Sequence, residues 1–314
     1  MDREAEKDEQ SRGRPTRLER GGAGYPAELE RLSDPPAELF VHGHLPHEPL
    51  VAVVGSRDAD KSMLRFAEEL SAGIVDCGLG VVSGGAHGVD TAAHRGALAA
   101  GGSTVVVLGS GFGFVYPAAN RELFHAATDK GAVITEFERD CPPTRWTFPR
   151  RNRIVAALAE AVVVVQARER SGALITAARA RELRLPVGAV PGSPLDPRSR
   201  GCNELIRRGA AVIESAVDVL RAIGQRPPEA QLGLPGLESR GMESSPGPRS
   251  DLQRSDLGDR DRAVLEKLGA TPAHIDEIAS WVGLSASEAQ ATMLNLELAG
   301  FVEDRGGKLF VRVG

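Results

Sequence analysis

Short hydrophobic runs recur through the middle of the chain, each followed by a segment with helical spacing. The runs comprise residues 51–54, 79–82, 104–108, 132–134, 161–165, 187–190 and 211–213. They are apolar at consecutive positions and rich in valine, which is typical of strands buried on both faces. Alternating strands and helices form parallel sheets through right-handed crossovers, with helices on both faces. Residues 51–224 are therefore predicted to form one doubly wound α/β domain with a mainly parallel sheet.

The segments before and after this domain lack the repeat. Residues 1–24 are charged and have no hydrophobic period, which predicts a disordered tail. Residues 25–50 contain several prolines and an extended apolar stretch, and are predicted to be a lead-in segment too small to fold alone. Residues 225–257 are rich in proline, glycine and serine, which predicts a flexible linker.

Residues 258–314 have the element order of a small C-terminal winged-helix domain. Three short helical patterns precede a predicted hairpin, and Ser285 with Glu288 forms a capping box for the third helix. That helix also contains Glu297 but no lysine or arginine, and acidic residues outnumber basic ones in the domain. Because duplex binding depends on neutralising phosphates, we expect this domain to contact protein rather than DNA.

Composition narrows the possible functions. The net charge of −5 gives no global attraction for nucleic acid, so any anion site must be local. Cys77, Cys141 and Cys202 are far apart and form no CxxC pair, which is typical of a reducing compartment. No apolar run reaches the roughly 18 residues of a membrane span, and the N-terminus has no signal-peptide pattern. We expect a cytoplasmic protein with no membrane partner.

The turn after the first strand carries the first candidate site residues. Open α/β sheets bind ligands beyond the carboxyl ends of their strands, where helix N-termini present free N–H groups. Gly55 permits a sharp turn there, Ser56 is able to cap the helix or donate to a phosphate, and Arg57 offers a bidentate fork. The dinucleotide fingerprint G-x-G-x-x-G is missing. On this tripeptide alone, an ordinary turn with a solvated arginine remains an alternative.

Two later turns repeat this chemistry. Gly84, Gly85 and His87 follow the second strand, in a stretch of small residues that lets a ligand approach the backbone closely. The nucleophile elbow G-x-S-x-G does not occur there, which argues against a hydrolase. Ser171 and Gly172 follow the fifth strand, where serine is placed as a helix cap and phosphate donor.

The densest basic segment is residues 145–153, RWTFPRRNR. Its candidate residues are Phe148, Arg150, Arg151, Asn152 and Arg153. Cations next to aromatic rings suit a single strand, because cations bind phosphates and rings stack on bases. Arginines at a helix N-terminus oppose the helix dipole, which points to an anionic ligand that compensates them. The alternative is a solvated basic helix start with the phenylalanine in the core.

At these residues the chain resembles the DNA-processing protein A (DprA/Smf) family. The matching stretches are YPAELERLSDPPAELFVHG (25–43), VAVVGSR (51–57), VVSGGAHGVDTAAHRGAL (81–98), Tyr116-Pro117, TEF (135–137), WTFPRRNRIVAALA (146–159), RSGALIT (170–176) and VPGSPLDPRSRGCNELIRRGA (190–210). Several separate loops agree in order and spacing, so the resemblance is specific. The C-terminal domain resembles the family's winged helix more weakly.

The resemblance implies a Rossmann-like domain that binds and protects single-stranded DNA and loads RecA recombinase during natural transformation. It also implies a homodimer, no enzymatic activity, and neither a cofactor nor a metal ion. For this chain, the resemblance implies phosphate contacts at Ser56, Arg57, Gly84, Arg150, Arg151 and the turn at Ser171. Phe148 becomes the candidate base-stacking ring.

The second turn departs from the family pattern. The family usually reads S-G-L-A-R-G there, whereas this chain has Gly85 and His87 in place of the leucine and arginine. The lost arginine removes one phosphate contact, so we expect weaker binding that strengthens in mildly acidic solution, where an imidazole gains charge.

Two alternatives from another class remain open. One is a Rossmann-like enzyme that cleaves nucleoside monophosphates, which requires a P-G-G-x-G-T-x-x-E segment with a catalytic glutamate. Residues 171–176, SGALIT, stand at that place and supply no such glutamate. The other is a sensor that binds a small nucleotide in the same pocket.

Overall fold

The computed structural model describes residues 14–225 and parts of the C-terminal region. The C-terminal parts are residues 259–269, 273–285, 288–289, 292–293, 296, 301–304 and 309–312. The chain divides into two compact units, residues 1–237 and 238–314. Residues 226–257 of the predicted linker lie outside the described residues.

The first unit is built on a nine-stranded sheet. Its strands are β1 (Thr16–Glu19), β2 (Glu38–Gly43), β3 (Leu50–Val54), β4 (Gly80–Ser83), β5 (Thr104–Val107), β6 (Ala132–Thr135), β7 (Ala159–Val164), β8 (Val187–Ala189) and β9 (Ala211–Val212). Their order across the sheet is β1-β2-β6-β5-β4-β3-β7-β8-β9. All neighbours from β6 to β9 are parallel, and β1 and β2 add an antiparallel edge. The predicted doubly wound fold is confirmed.

Helices cover both faces of this sheet. They are α1 (Lys61–Asp76), α2 (Val89–Ala99), α3 (Arg121–Lys130), α4 (Thr147–Ala157), α5 (Gly172–Glu182), α6 (Arg200–Arg207) and α7 (Ala216–Ala222), with 3-10 turns at Ala27–Arg31 and Ala118–Asn120. Side chains alternate along β3, so Val51 and Val53 pack in the layer of α1, α2 and α7. Ala52 and Val54 pack in the layer of α4, α5 and α6. The sheet is therefore buried on both sides.

The N-terminal segment contributes more to the fold than the sequence suggested. Residues 1–13 lie outside the described residues, but Thr16–Glu19 forms β1 and pairs with β2, Thr16 opposite Val41. In turn β2 pairs with β6, with Val41 opposite Ile134. The expectation of a disordered tail through residue 24 is therefore corrected. Thr16–Glu19 is too short and too polar to show a strand period, and its pairing with β2 supplies the order.

The sheet changes winding direction at its centre. From β3 the chain winds outward through β4, β5 and β6, and it then returns to the other side of β3 to form β7, β8 and β9. The loops that follow β3 and β7 consequently diverge and leave a crevice between them. In open α/β sheets this switch point, at the carboxyl ends of the strands, is where ligands bind.

Asp60, the N-cap residue of α1, connects the segment that follows β3 to the segment that follows β7. Its carboxylate accepts hydrogen bonds from the Met63 N–H at 2.9 Å, from the Ser62 hydroxyl, and from the Gln166 side-chain amide at 2.9 Å. Gln166 follows β7 and is buried. These hydrogen bonds lower the pKa of Asp60 to about 2, and the one from Ser62 has the largest effect.

The second unit contains α8 (Asp259–Lys267), β10 (Ala273–His274), α9 (Ile275–Val282), β11 (Val302–Asp304) and β12 (Leu309–Arg312). Its strands form an antiparallel sheet in the order β10-β12-β11. The predicted capping box is present, because the Ser285 N–H donates to Glu288 Oε2 at 3.0 Å and the Glu288 N–H donates to Ser285 Oγ at 3.3 Å. The helices and the terminal hairpin confirm the predicted winged helix. Within the described residues, no helix of either unit is long and apolar enough to cross a bilayer.

We predict that Asp60→Ala lowers the free energy of unfolding by about 1–3 kcal/mol at pH 7, because it removes a helix cap and leaves the buried Gln166 amide unpaired. The carboxylate stabilises the fold fully above its unfolded pKa of about 3.9, and this contribution is lost as the pH falls toward 2. Urea unfolding at pH 7 and pH 3 measures both effects. A difference between wild type and variant that grows on acidification would contradict the prediction.

Candidate functional site

A cavity of about 560 Å³ opens at the switch point of the sheet. Its walls are the turns after β3, β4 and β7 and the first turns of α4 and α5. The predicted residues that line it are Gly55, Ser56, Arg57, Gly84, Phe148, Arg151, Asn152, Ser171 and Gly172. Gly85, His87, Arg150 and Arg153 do not line it. Most of the residues predicted from four separate segments therefore meet at one place.

Arginines outnumber carboxylates on the cavity wall. The cationic side chains are Arg57, Arg145, Arg151, Arg168 and Arg170. Arg145, Arg168 and Arg170 were not among the predicted site residues. The acidic side chains on the wall are Asp58 and Asp90, and Asp58 lies 3.7 Å from Arg168. The cavity is therefore a region of local positive charge within a chain of net charge −5.

The turn after β3 is as compact as its sequence implied. A β-carbon on Gly55 would lie 2.7 Å from a methyl carbon of Val89, so only glycine fits there. Ser56 is buried, and its hydroxyl oxygen accepts a hydrogen bond from the Asp58 N–H at 3.1 Å. Arg57 is exposed at the cavity, with its guanidinium carbon 5.0 Å from the centroid of the Phe148 ring.

Arg151 is the most deeply buried cation of the site, with 4% of the residue exposed. Its guanidinium donates to the carbonyl oxygens of Gly84 and Val107, and Nε donates to Asn152 Oδ1 at 3.1 Å. Burial lowers the pKa of Arg151 to about 10, and the charge of Asp90 opposes this shift. The side chain is therefore protonated at neutral pH, and within residues 14–225 it makes no ion pair.

Gly84 makes room for this guanidinium. A β-carbon at position 84 would overlap the Arg151 side chain. Asp90, at the start of α2, accepts from the Ala86 N–H at 3.3 Å, and its burial raises the pKa of its carboxyl group. Gly84 thus acts by leaving space for a cation, in addition to any direct approach of a ligand to its backbone.

The structure does not bring Gly85 and His87 to the cavity. Gly85 is buried with φ +68°, and a β-carbon there would lie 2.7 Å from Val106 and 2.9 Å from Phe124. In this chain the backbone conformation and packing at position 85 therefore require glycine. His87 is exposed but outside the cavity wall. The expected contribution of its charge to binding is not supported by its position.

Arg150 and Arg153 are directed toward a carboxylate from another strand. Glu136 follows β6, its side chain is 3% exposed, and its Oε2 lies 2.5 Å from Arg153 Nη2 and 3.1 Å from Arg150 Nε. Burial raises the pKa of Glu136, and the two arginines oppose that shift. Both arginines therefore connect α4 to the carboxyl end of β6, and their contact with phosphate stays a prediction.

Helical periodicity explains which residues of α4 reach the cavity. Phe148, Arg151, Asn152 and Val155 line it at spacings of i, i+3, i+4 and i+7, and Pro149, next to Phe148, lines it as well. This spacing was present in the sequence and would have separated the residues that face the cavity from Arg150 and Arg153. No sequence pattern indicated that Glu136 would pair with Arg150 and Arg153, because Glu136 lies outside α4 and more than ten residues before these arginines.

The N-terminus of α5 completes the wall. Ser171 is the N-cap, and its hydroxyl oxygen accepts from the Ala173 N–H at 3.4 Å. Asn152 donates to the Gly172 carbonyl at 3.3 Å, which connects α4 to α5. The unpaired N–H groups of a first helical turn, together with the helix dipole, attract anions.

Phe148 is neither a core residue nor a fully exposed ring. It is half-buried, packs on Gly109, and its centroid lies 5.8 Å from that of Tyr116. The guanidinium carbons of Arg57 and Arg151 lie 5.0 and 6.0 Å from its centroid. An aromatic ring with two cations nearby is suited to a ligand that combines a flat ring with phosphates.

Comparison with known proteins places this geometry in a family. The family model for DNA recombination-mediator protein A matches residues 18–224, and that for the DprA winged helix domain matches residues 248–308. A putative DNA processing protein DprA from Mycobacterium tuberculosis is 42% identical over 258 residues, which cover 82% of this chain. The chain spans 63% of the length of that relative.

The fold is also similar to those of solved structures, among them two of DNA processing protein A. The X-ray structure of DNA processing protein A from Streptococcus pneumoniae has a TM-score of 0.64 and 39% identity, over 70% of this chain and 78% of that one. A structure that concerns the single-stranded DNA binding mode of DNA processing protein A from Helicobacter pylori has a TM-score of 0.59 and 28% identity, over 67% of this chain and 95% of that one. With its matched fold and its winged-helix segment, the chain belongs to the DNA recombination-mediator protein A (DprA/Smf) family.

Proposed function

We propose that this protein is a cytoplasmic recombination mediator that binds single-stranded DNA in the cavity at the switch point of its sheet. In this proposal it protects incoming single strands and loads RecA recombinase onto them during natural transformation. The arrangement of Arg57, Phe148 and Arg151 carries the DNA-binding part, because two guanidinium carbons lie 5.0 and 6.0 Å from the centroid of one half-buried ring. Family membership supports the recombination part and the proposed homodimer.

The cavity has the groups that a phosphodiester chain requires. Arginine binds phosphate through bidentate hydrogen bonds, and Arg57 is exposed at the wall with its fork free of ion pairs within residues 14–225. The first turn of α5 offers backbone N–H groups next to Ser171. These contacts read the backbone and carry no sequence information, which suits a protein that acts on DNA of any sequence.

The ring favours an unpaired strand over a duplex. Phe148 is half-buried on the cavity wall, and a base that stacks on it must leave its own stack. In a duplex this movement costs base pairing and stacking, of the order of a few kcal/mol, whereas a single strand offers its bases freely. We therefore assign the preference for single strands to Phe148.

The carboxylates of the cavity do not favour a nucleotide-cleaving activity. Asp58 lies near Arg168, and Asp90 is buried, with the charge of Arg151 acting on its carboxyl group. Within residues 14–225 the cavity wall contains no glutamate to serve as the catalytic residue of a nucleoside monophosphate hydrolase. The proposed role is therefore binding rather than catalysis.

A small-nucleotide sensor is the second candidate, and the size of the cavity favours it. A volume of about 560 Å³ lies within the range of small-molecule sites, about 300–1,000 Å³. We predict that thymidine monophosphate, at equal nucleotide concentration, fails to displace labelled oligothymidine from the protein, because it makes one phosphate contact where the strand makes several. Full displacement in a competition titration would favour the sensor.

We predict that Arg57→Ala weakens binding of single-stranded DNA about 10- to 150-fold, the range of a hydrogen-bonded charge contact. Arg65→Ala is the matched control, because it makes the same change in net charge on an 80% exposed side chain of α1 away from the cavity. Fluorescence anisotropy with a labelled oligothymidine measures both variants. Equal affinities of the two variants would contradict the proposed function.

We also predict that affinity falls with salt at a log–log slope of about −3. Arg57, Arg145, Arg151 and Arg170 line the cavity, and four neutralised phosphates of a single strand release counterions to about this extent. Binding titrations with oligothymidine at salt concentrations between about 50 and 300 mM give the slope. A salt-independent affinity would exclude phosphate contacts as the main source of binding.

A further inference from the structure

Trp146 is an unusual residue on the surface of the first unit. It is 72% exposed, whereas the other aromatic residues near the cavity, Phe148 and Tyr116, are half-buried and 46% exposed. Its side chain belongs to no hydrophobic cluster within residues 14–225. Exposing an indole to water forgoes a large hydrophobic gain, so packing of the fold gives no reason for a tryptophan here.

The exposed indole is carried by an ordered backbone turn. Thr144 Oγ1 accepts hydrogen bonds from the N–H groups of Trp146 at 3.3 Å and Thr147 at 3.2 Å. Thr147 Oγ1 accepts from the Thr144 N–H at 3.0 Å and donates to the Thr144 carbonyl at 3.0 Å. Trp146 is also the residue immediately before α4. The backbone therefore holds the ring in a defined place, which lowers the entropy cost of using it as a binding surface.

Arg145 connects this ring to the cavity. Its side chain lines the cavity wall, and its guanidinium carbon lies 4.7 Å from the centroid of the Trp146 ring. Within residues 14–225 this guanidinium is the only ring or hydrogen-bond partner of the Trp146 side chain, and a flat cation covers one face of a ring at most. Arg145 has no carboxylate partner in that range, so its charge remains available for phosphate.

We propose that Trp146 and Arg145 form a second subsite, which binds an unpaired nucleobase outside the cavity. One base of the strand stacks on the open face of the Trp146 indole, and Arg145 binds the phosphate between that nucleotide and the nucleotide in the cavity. The inference rests on the proposed binding of single-stranded DNA and adds a second nucleotide position to it. The strand leaves the cavity along the first turn of α4.

A fluorescence experiment tests the stacking directly, because the chain contains two tryptophans. The second, Trp281, lies in the other unit, partly buried against its core, and Trp281→Phe leaves Trp146 as the sole indole. Full-length Trp281→Phe protein is saturated with oligothymidine or with an abasic oligomer of equal length and charge. We expect oligothymidine to change the emission of Trp146 and to protect it from acrylamide quenching, and the abasic oligomer to do neither. Equal effects of the two oligomers, or no effect of either, would overturn the stacking.

Affinity measurements provide the second test. Trp146→Ala is expected to weaken oligothymidine binding about 5- to 150-fold, the range that base stacking supplies, and Trp146→Phe to retain most of the affinity. Leu195→Ala is the matched control, because Leu195 is 90% exposed and does not line the cavity, and its affinity is expected to equal that of wild type. If Trp146→Ala binds oligothymidine as tightly as wild type while Arg57→Ala binds it more weakly, the second subsite is contradicted and the proposed function is not. If Arg57→Ala also binds as tightly as wild type, the proposed function itself is contradicted.

Discussion

The buried guanidinium of Arg151 is the interaction on which the site depends. It donates to carbonyl oxygens at the ends of β4 and β5, and so fixes α4 across the carboxyl edge of the sheet. Gly84 supplies the space, and the charge of Asp90 opposes the lowering of the Arg151 pKa by burial. Burial of a cation without an ion pair costs several kcal/mol, and a phosphate bound in the adjoining cavity, as proposed, would offset that cost. The proposed function therefore connects stability and ligand binding through one side chain.

The parts of the fold that were predictable are those encoded in local pattern. The consecutive apolar residues 51–54 are all buried, as expected of a strand covered on both faces, so the parallel sheet and its switch point followed from the sequence. Turn chemistry at Gly55 and Ser171 also followed, because a sharp turn and a helix cap are properties of single residues and their neighbours.

What was not predictable depends on contacts between distant segments. Thr16–Glu19 becomes a strand only because β2 is available to pair with it. Arg150 and Arg153 resembled phosphate ligands because residues 141–159 contain no acid, yet Glu136 lies beside them in space. His87 lies close to Gly84 in the sequence but not on the cavity wall. Within α4, helical spacing indicates the cavity-facing positions Phe148, Arg151, Asn152 and Val155 better than positive charge does.

The central claim is that one crevice, with cations around the half-buried ring of Phe148, accepts a strand whose bases are unpaired. The most direct measurement compares the affinities of the full-length protein for a single strand and for the corresponding duplex at moderate ionic strength, in wild type and in Phe148→Ala. The account predicts tighter binding of the single strand by wild type and a smaller difference in the variant. Equal affinities of wild type for the two ligands, or a preference for the duplex, would contradict it.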